Sequence, residues 1–112
     1  MPTTNPGFAT AAVTTGTATG LTNFGTTSAD SSGTPGNQTS NTPSGRCSIA
    51  AVGTTVTVTN NLVTAASRVF AEIATNDATA VMKNVVPGAG SFVITLNAAT
   101  TGITNINWFV VN

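Results

Sequence analysis

Alternation of apolar and polar residues is the strongest pattern in this chain, and it is concentrated in residues 46–112. Apolar side chains recur at every second position in two clear cases: Phe92, Ile94 and Leu96, and then Ile106, Trp108 and Val110. A period of two is that of a half-buried β-strand. Short runs rich in Val, Ile, Thr and Phe, with Gly, Asn or Pro turn signals at roughly ten-residue intervals, predict about six strands. This pattern indicates an antiparallel sandwich or barrel, and we expect an all-β fold built as a small antiparallel β-sandwich.

The last predicted strand is apolar on both faces near its end. Ile106, Trp108 and Val110 occupy one face, while Phe109 and Val111 occupy the other. A strand with apolar side chains on both faces is typically buried on both sides. A domain of about 67 residues has too small a core to bury the second face of this strand. We therefore predict that Phe109 and Val111 form an interface with another subunit.

Residues 62–73 fit two kinds of secondary structure. Leu62, Ala66, Val69 and Ile73 have helical spacing. As a strand, the same segment would place Val69, Ala71 and Ile73 on one side and Arg68, Phe70 and Glu72 on the other. Because β-branched and aromatic residues are enriched in it and the segment is short, we favour a strand, with room for a turn of helix near residues 63–67.

Residues 1–45 differ in composition from the rest of the chain. Thr, Gly, Ser, Asn and Pro dominate, and the sizeable apolar residues after Met1 are Phe8, Val13, Leu21 and Phe24. That apolar area is too small to offset backbone ordering at ~1–2 kcal/mol per residue. We therefore expect residues 1–45 to form an extended Thr/Gly-rich arm that docks onto neighbouring subunits through those four anchors, and residues 46–112 to form the β-sandwich domain. A flexible linker held by incidental contacts is the alternative.

Charged residues are scarce: three basic and three acidic residues cancel and make up 5% of the chain. Nucleic-acid binding needs clustered Lys and Arg, and a membrane partner needs a polybasic patch or an apolar run of ~20 residues. We therefore expect neither partner. A nearly uncharged surface gives little protection against self-association, which favours a subunit of an assembly. The chain lacks the pattern of a signal peptide, and its lone Cys47 fits a reducing cytoplasm.

Residues that could act in catalysis or bind a metal are equally scarce. The chain has no His and no Tyr, and its only carboxylates are Asp30, Glu72 and Asp77. Glu72 with Asp77 is the one nearby acid pair, but Asp77 after Asn76 is more simply a turn former. Cys47 has no His to activate it and alternates with Ile49, so we expect a small buried side chain. Acid–base catalysis and metal binding lack their usual residues, and we expect no enzyme, no cofactor and no metal.

Several motifs occur in order towards the end of the chain. They are Gly45-Arg46-Cys47-Ser48-Ile49, then Val56-Thr57-Val58-Thr59-Asn60, then Val86-Pro87-Gly88-Ala89-Gly90-Ser91-Phe92-Val93-Ile94, and finally Trp108-Phe109-Val110-Val111-Asn112. Through them, roughly the last 67 residues resemble a C-terminal module of tailed-bacteriophage virion surface proteins, such as tail fibres, spikes and decoration-type proteins. The resemblance implies a small β-sandwich, commonly trimeric, on a virion surface. It does not imply one task, because the module is attached to many proteins.

In fibres and spikes that module follows a long shaft or a large enzymatic domain, whereas here only the arm precedes it. We therefore expect a capsid decoration or cement protein that oligomerises on the capsid, contacts the major capsid protein or other virion proteins, and is assembled in the host cytoplasm. The alternative is a small head-fibre, neck or tail-tip adaptor that faces the host as a receptor-binding protein. A carbohydrate-binding module is a third interpretation, but Trp108, in phase with Ile106 and Val110, fits a core position better than a sugar platform.

Overall fold

A computed structural model describes residues 28–112, which form eight strands and no helix. In chain order the strands are β1 (Ser28–Asp30), β2 (Gln38–Thr39), β3 (Ser44–Ile49), β4 (Thr55–Thr59), β5 (Arg68–Ile73), β6 (Met82–Gly88), β7 (Ser91–Leu96) and β8 (Thr104–Val111). Strands β3 to β8 correspond to the six that the alternating pattern predicts. The expectation of an all-β fold is confirmed for the described residues.

The strands form two four-stranded sheets that pack together as a β-sandwich. Sheet A has the strand order β1-β3-β8-β5, and sheet B has the order β2-β4-β7-β6. The six longer strands pair antiparallel, whereas β1 joins β3 and β2 joins β4 in parallel. The two short parallel strands therefore lie at one edge of each sheet, and β5 and β6 lie at the opposite edges.

The core lies between the sheets and is built from the alternating positions of the sequence. β7 alternates half-buried with buried residues along its whole length, and β8 buries its apolar series completely or nearly so. The buried apolar residues are Cys47, Ile49, Val56, Val58, Val63, Ala80, Phe92, Ile94, Leu96, Ile106, Trp108 and Val110. Their burial is the main source of stability, since each large aliphatic or aromatic side chain contributes ~1.5–3 kcal/mol when fully buried.

The sandwich includes residues that the composition assigns to the arm. β1, β2 and the first two residues of β3 all precede residue 46, so the fold has eight strands where the pattern predicts about six. Hydrogen bonds hold this stretch in place: Ser31 N–H donates to the Arg46 carbonyl at 2.8 Å, and Ser40 N–H donates to the Thr59 carbonyl at 2.9 Å. Apolar area alone underestimates how readily such a segment becomes ordered, because pairing with an existing sheet edge satisfies its backbone polar groups.

The segment with two possible structures is a strand. β5 spans Arg68–Ile73, with Val69, Ala71 and Ile73 packed against the core. The segment forms no helix, although the spacing of its apolar residues would also fit one. Before β5 the chain makes a turn in which Ser67 N–H donates to the Thr64 carbonyl at 3.0 Å. The side chain of Asn112 closes this region by donating to the Leu62 carbonyl at 2.9 Å.

Candidate interaction surface

The outer face of sheet A carries an exposed aromatic pair. Phe70 of β5 and Phe109 of β8 are directly opposite each other in the antiparallel register. Their rings stack with centroids 5.0 Å apart and an interplanar angle of 21°. Phe70 keeps 51% of its surface exposed and is the one aromatic among the large exposed apolar residues of the described chain. The sheet thus presents an exposed apolar area to its surroundings.

The register explains why both rings face outward. Val69, Ala71 and Ile73 point into the core, so their neighbours in β5 must point away from it. The same alternation in β8 directs Trp108 and Val110 inward and Phe109 outward. Aromatic pairs in this cross-strand position contribute ~0.5–1.5 kcal/mol beyond their area burial. The pair therefore stabilises the β5–β8 contact while leaving one ring partly open.

A row of polar side chains crosses the same face beside the aromatic pair. The register places Asp30, Arg46, Asn107 and Glu72 on successive strands β1, β3, β8 and β5. Arg46 Nε donates to Asn107 Oδ1 at 2.8 Å. The Ser32 hydroxyl, the Ser32 N–H and then the charge of Arg46 lower the pKa of Asp30. With Arg68, also on this face, four of the six charged residues of the chain lie here.

Between the aromatic pair and the polar row lies a shallow groove of about 500 Å³. Its lining combines Phe70 and Phe109 with the polar groups of Glu72, Asn107 and Ser44. An apolar floor with a polar margin is the arrangement that protein–protein interfaces use. We call the outer face of sheet A around this groove the aromatic face.

The structure places the two predicted interface residues on this aromatic face. Phe109 and Val111 lie on the outward side of β8 and are half-buried in the single copy. Their role as an oligomer interface stays a prediction. Phe70 is the residue that the sequence did not single out, because its proximity to Phe109 depends on the pairing of two distant strands. The predicted arm anchors Phe8, Val13, Leu21 and Phe24 lie outside the described residues.

Trp108 belongs to the core, as its phase with Ile106 and Val110 predicts. Only 3% of its surface is exposed. Its indole ring meets the Phe92 ring edge-on, with centroids 5.1 Å apart and an interplanar angle of 63°. Trp108 therefore offers no ring face to a sugar, and among residues 28–112 the most exposed aromatic ring is that of Phe70.

Asp77 connects two loops at one end of the sandwich. Its Oδ1 accepts from the N–H groups of Thr79 and Ala80 at 3.0 and 2.9 Å. Its Oδ2 accepts from the N–H and the hydroxyl of Thr101 at 2.8 and 2.9 Å. These donors, the Thr79 N–H first, hold the pKa of Asp77 well below its usual range. Oδ1 thus holds the turn of its own loop and Oδ2 joins that loop to Thr101. This is the role of a structural carboxylate and agrees with the prediction of a turn former.

Cys47 points into the core from β3 and is fully buried. Burial raises the pKa of its thiol to about 12, so the reactive thiolate is absent near neutral pH. Within residues 28–112 no group of three or more His, Cys, Asp or Glu side chains could hold a metal ion. In the same range no helix is long and apolar enough to span a membrane.

Comparison of the chain with protein-family models, with curated proteins and with solved structures finds no match.

Proposed function

We propose that this protein is a non-enzymatic structural subunit of a bacteriophage virion, a capsid decoration protein that oligomerises on the capsid and stabilises it. The observation that carries the proposal is the stacked Phe70–Phe109 pair on the outside of sheet A. Exposed aromatic area next to a polar margin favours contact with another protein surface. Covering the open half of Phe70 contributes roughly 1 kcal/mol per copy.

The distribution of charge supports self-association. The outer face of sheet B carries neutral residues at its centre, where Thr57, Val93 and Val86 lie side by side in the register. The aromatic face carries both signs, with Arg46 and Arg68 beside Asp30 and Glu72. A face that holds both signs can attract oppositely charged groups of another copy, and a small net charge leaves little long-range repulsion between copies.

The stretch from Ser28 to Thr39 supports the idea of a chain that stabilises by spanning surfaces. It pairs with the edges of both sheets although it contains no large apolar residue. A segment of this composition adds contact through its backbone and through Asn and Ser side chains, without needing a core of its own. A decoration protein needs this property because it must bridge neighbouring capsid subunits.

The assembly claim is tested with the full chain and two matched variants. Phe109→Asp places a charge within the aromatic face, so we expect sedimentation to show dissociated chains that keep their β-sheet circular dichroism. Val86→Asp is the control, because Val86 is 55% exposed on the outer face of the other sheet and should leave assembly unchanged. A wild-type chain that sediments as a monomer at micromolar concentration would remove the main support for the proposal.

The capsid role is tested on virions. Quantitative mass spectrometry of purified particles should find hundreds of copies, and particles lacking the protein should assemble but burst at lower temperature or under milder osmotic stress. A few copies per particle, with normal heat stability and failed adsorption to host cells, would instead support the host-facing adaptor. Absence of the protein from virions would contradict both.

A further inference from the structure

The outer edge of sheet A is a regular strand with free backbone groups. β5 pairs only with β8 among the described strands, and its register runs without a break from Arg68↔Val111 to Ile73↔Ile106. Ala74 N–H donates to the Asn105 carbonyl at 2.8 Å. In an antiparallel pair, every second residue of a strand directs its backbone N–H and C=O towards the partner strand. Since Ala74 bonds to β8, the backbone groups of the even-numbered residues of β5 also face β8. Those of Val69, Ala71 and Ile73 therefore face the open edge.

The neighbouring edge of sheet B is protected in a way that β5 is not. The β6–β7 register shifts between Met82 and Asn84, which marks a bulge, and the exposed Lys83 lies at this point. Pro87 further along β6 has no N–H to donate. Bulges, Lys and Pro are the usual devices that prevent an edge strand from accepting another strand. β5 contains no Pro, no Lys and no register shift, and its two charged residues, Arg68 and Glu72, lie on the outer face of the sheet. Its edge therefore remains suited to pairing.

This chain already shows what kind of segment completes its sheets. At the other edges, β1 and β2 come from a stretch rich in Ser, Thr, Gly and Asn, and they add to β3 and β4 through backbone pairing. The Asn37 side chain strengthens this pairing, because its Oδ1 accepts a hydrogen bond from the Thr57 N–H at 2.9 Å. The same composition continues upstream through residues 1–27. Those residues therefore have the composition of an edge-pairing strand.

The place where this upstream segment enters the fold, together with its length, allows it to reach a second copy. Ser28 begins β1 at the edge of sheet A farthest from β5. The distance from Phe8 to Phe24 is about 55 Å in an extended chain, whereas the six-residue β5 edge is about 20 Å long. A segment of that length is long enough to reach the β5 edge of a neighbouring copy. When each copy donates to the next, the contact is head-to-tail and closes into a ring at a suitable rotation.

We propose that residues 8–24 of one copy add a strand to the β5 edge of a second copy, pairing with the backbone of Val69, Ala71 and Ile73. An apolar anchor of the added strand then covers the open flank of Phe70. The proposal rests on the proposed function in one respect, namely that copies of the chain assemble with one another.

Amide hydrogen exchange of the full-length chain, read residue by residue by NMR, tests the acceptor edge. In the assembled wild type we expect slow exchange at Val69, Ala71 and Ile73. In a Leu21→Asp, Phe24→Asp variant these three amides should exchange at least about tenfold faster. The amides of Phe70 and Glu72, bonded to β8, are the internal control and should stay protected in both. Fast exchange at the three edge amides in the assembled wild type would overturn the proposal.

Disulfide trapping between different chains tests the donor. Chains carrying Asn23→Cys are mixed with chains carrying Glu72→Cys, and the native Cys47 stays buried as a constant background. We expect oxidation to link the two kinds of chain several-fold more than a mixture of Asn23→Cys with Thr55→Cys, whose site lies on the exposed face of sheet B. Equal yields would overturn the proposal. So would an Asn23→Cys, Glu72→Cys double variant that links only within single chains, because the arm would then serve its own edge.

The outcomes separate this inference from the proposed function. Trapped strand exchange in a protein that is absent from virions would reject the virion role and keep the donor–acceptor pairing. Abundant copies on the capsid without trapping or edge protection would keep the virion role and reject the pairing.

Discussion

Replacing Gly45 by Ala tests how tightly the sandwich closes around its only Trp. Gly45 lies directly opposite Trp108 in the β3–β8 register. A Cβ at this position would lie 2.6 Å from Trp108 Cζ2 and 2.6 Å from the Ala29 carbonyl oxygen. Neither neighbour moves freely, because Trp108 is held against Phe92 and Ala29 is backbone within β1. The added methyl must therefore displace the indole, the strand β1 or both.

The expected change in the free energy of unfolding combines two opposing effects. Forcing one extra methyl into a filled core costs ~1–3 kcal/mol. Gly→Ala also reduces the freedom of the unfolded chain, which returns ~0.4–1 kcal/mol. We expect a net decrease of about 1–2 kcal/mol in the free energy of unfolding, which lowers the urea midpoint by about 1 M for a domain of this size.

Urea denaturation followed by fluorescence is the appropriate assay, since Trp108 is the single Trp of the chain and lies at the altered site. Gly88→Ala is the matched control, because that Gly also lies in a strand but its Cβ would meet only the Ser91 carbonyl oxygen at 3.8 Å. Without a clash, the control should keep the gain of about 0.4–1 kcal/mol that a less flexible unfolded chain gives, and should lose no stability. A Gly45→Ala variant as stable as wild type, with an unshifted emission spectrum, would refute the packing described between β1, β3 and Trp108.

Three further predictions concern strain, pH and thiol reactivity. Val52 has φ 62° with 79% of its surface exposed, so Val52→Asn should raise the free energy of unfolding by about 1 kcal/mol in urea titrations; no gain would mean that Val52 is not strained. The pKa of Asp77 is lower in the fold than in the unfolded chain, so its stabilising effect is complete above about pH 5 and is lost as the pH falls through the folded value. Asp77→Asn should flatten this acid dependence, and an unchanged slope between about pH 5 and pH 3 would contradict the loop-joining role. Cys47 should react with a maleimide at pH near 8 only after unfolding in urea, and rapid labelling of the folded chain would show that β3 opens.

The alternation along the chain determined most of the fold by local means. Phe92, Ile94 and Leu96 need one buried face wherever their strand pairs, so their spacing alone predicts β7. The same reasoning predicts the inward position of Trp108 and the two-faced end of β8. The local pattern did not decide the secondary structure of residues 68–73, because their apolar spacing fits a helix as well as a strand. Pairing with β8 decided for the strand, since it supplies hydrogen bonds to the backbone and a partner for Phe70.

Only the tertiary structure decided which distant residues meet. Phe70 and Phe109 are 39 positions apart in the sequence, and their stacking depends on the β5–β8 register, which no local pattern encodes. The stretch from Ser28 to Thr39 lacks the apolar area that marks a strand in sequence, yet it forms β1 and β2. Its strands are stabilised by sheet edges that exist only once β3 and β4 have folded, because a backbone hydrogen bond depends on the position of the partner strand and hardly at all on the side chains that the sequence displays.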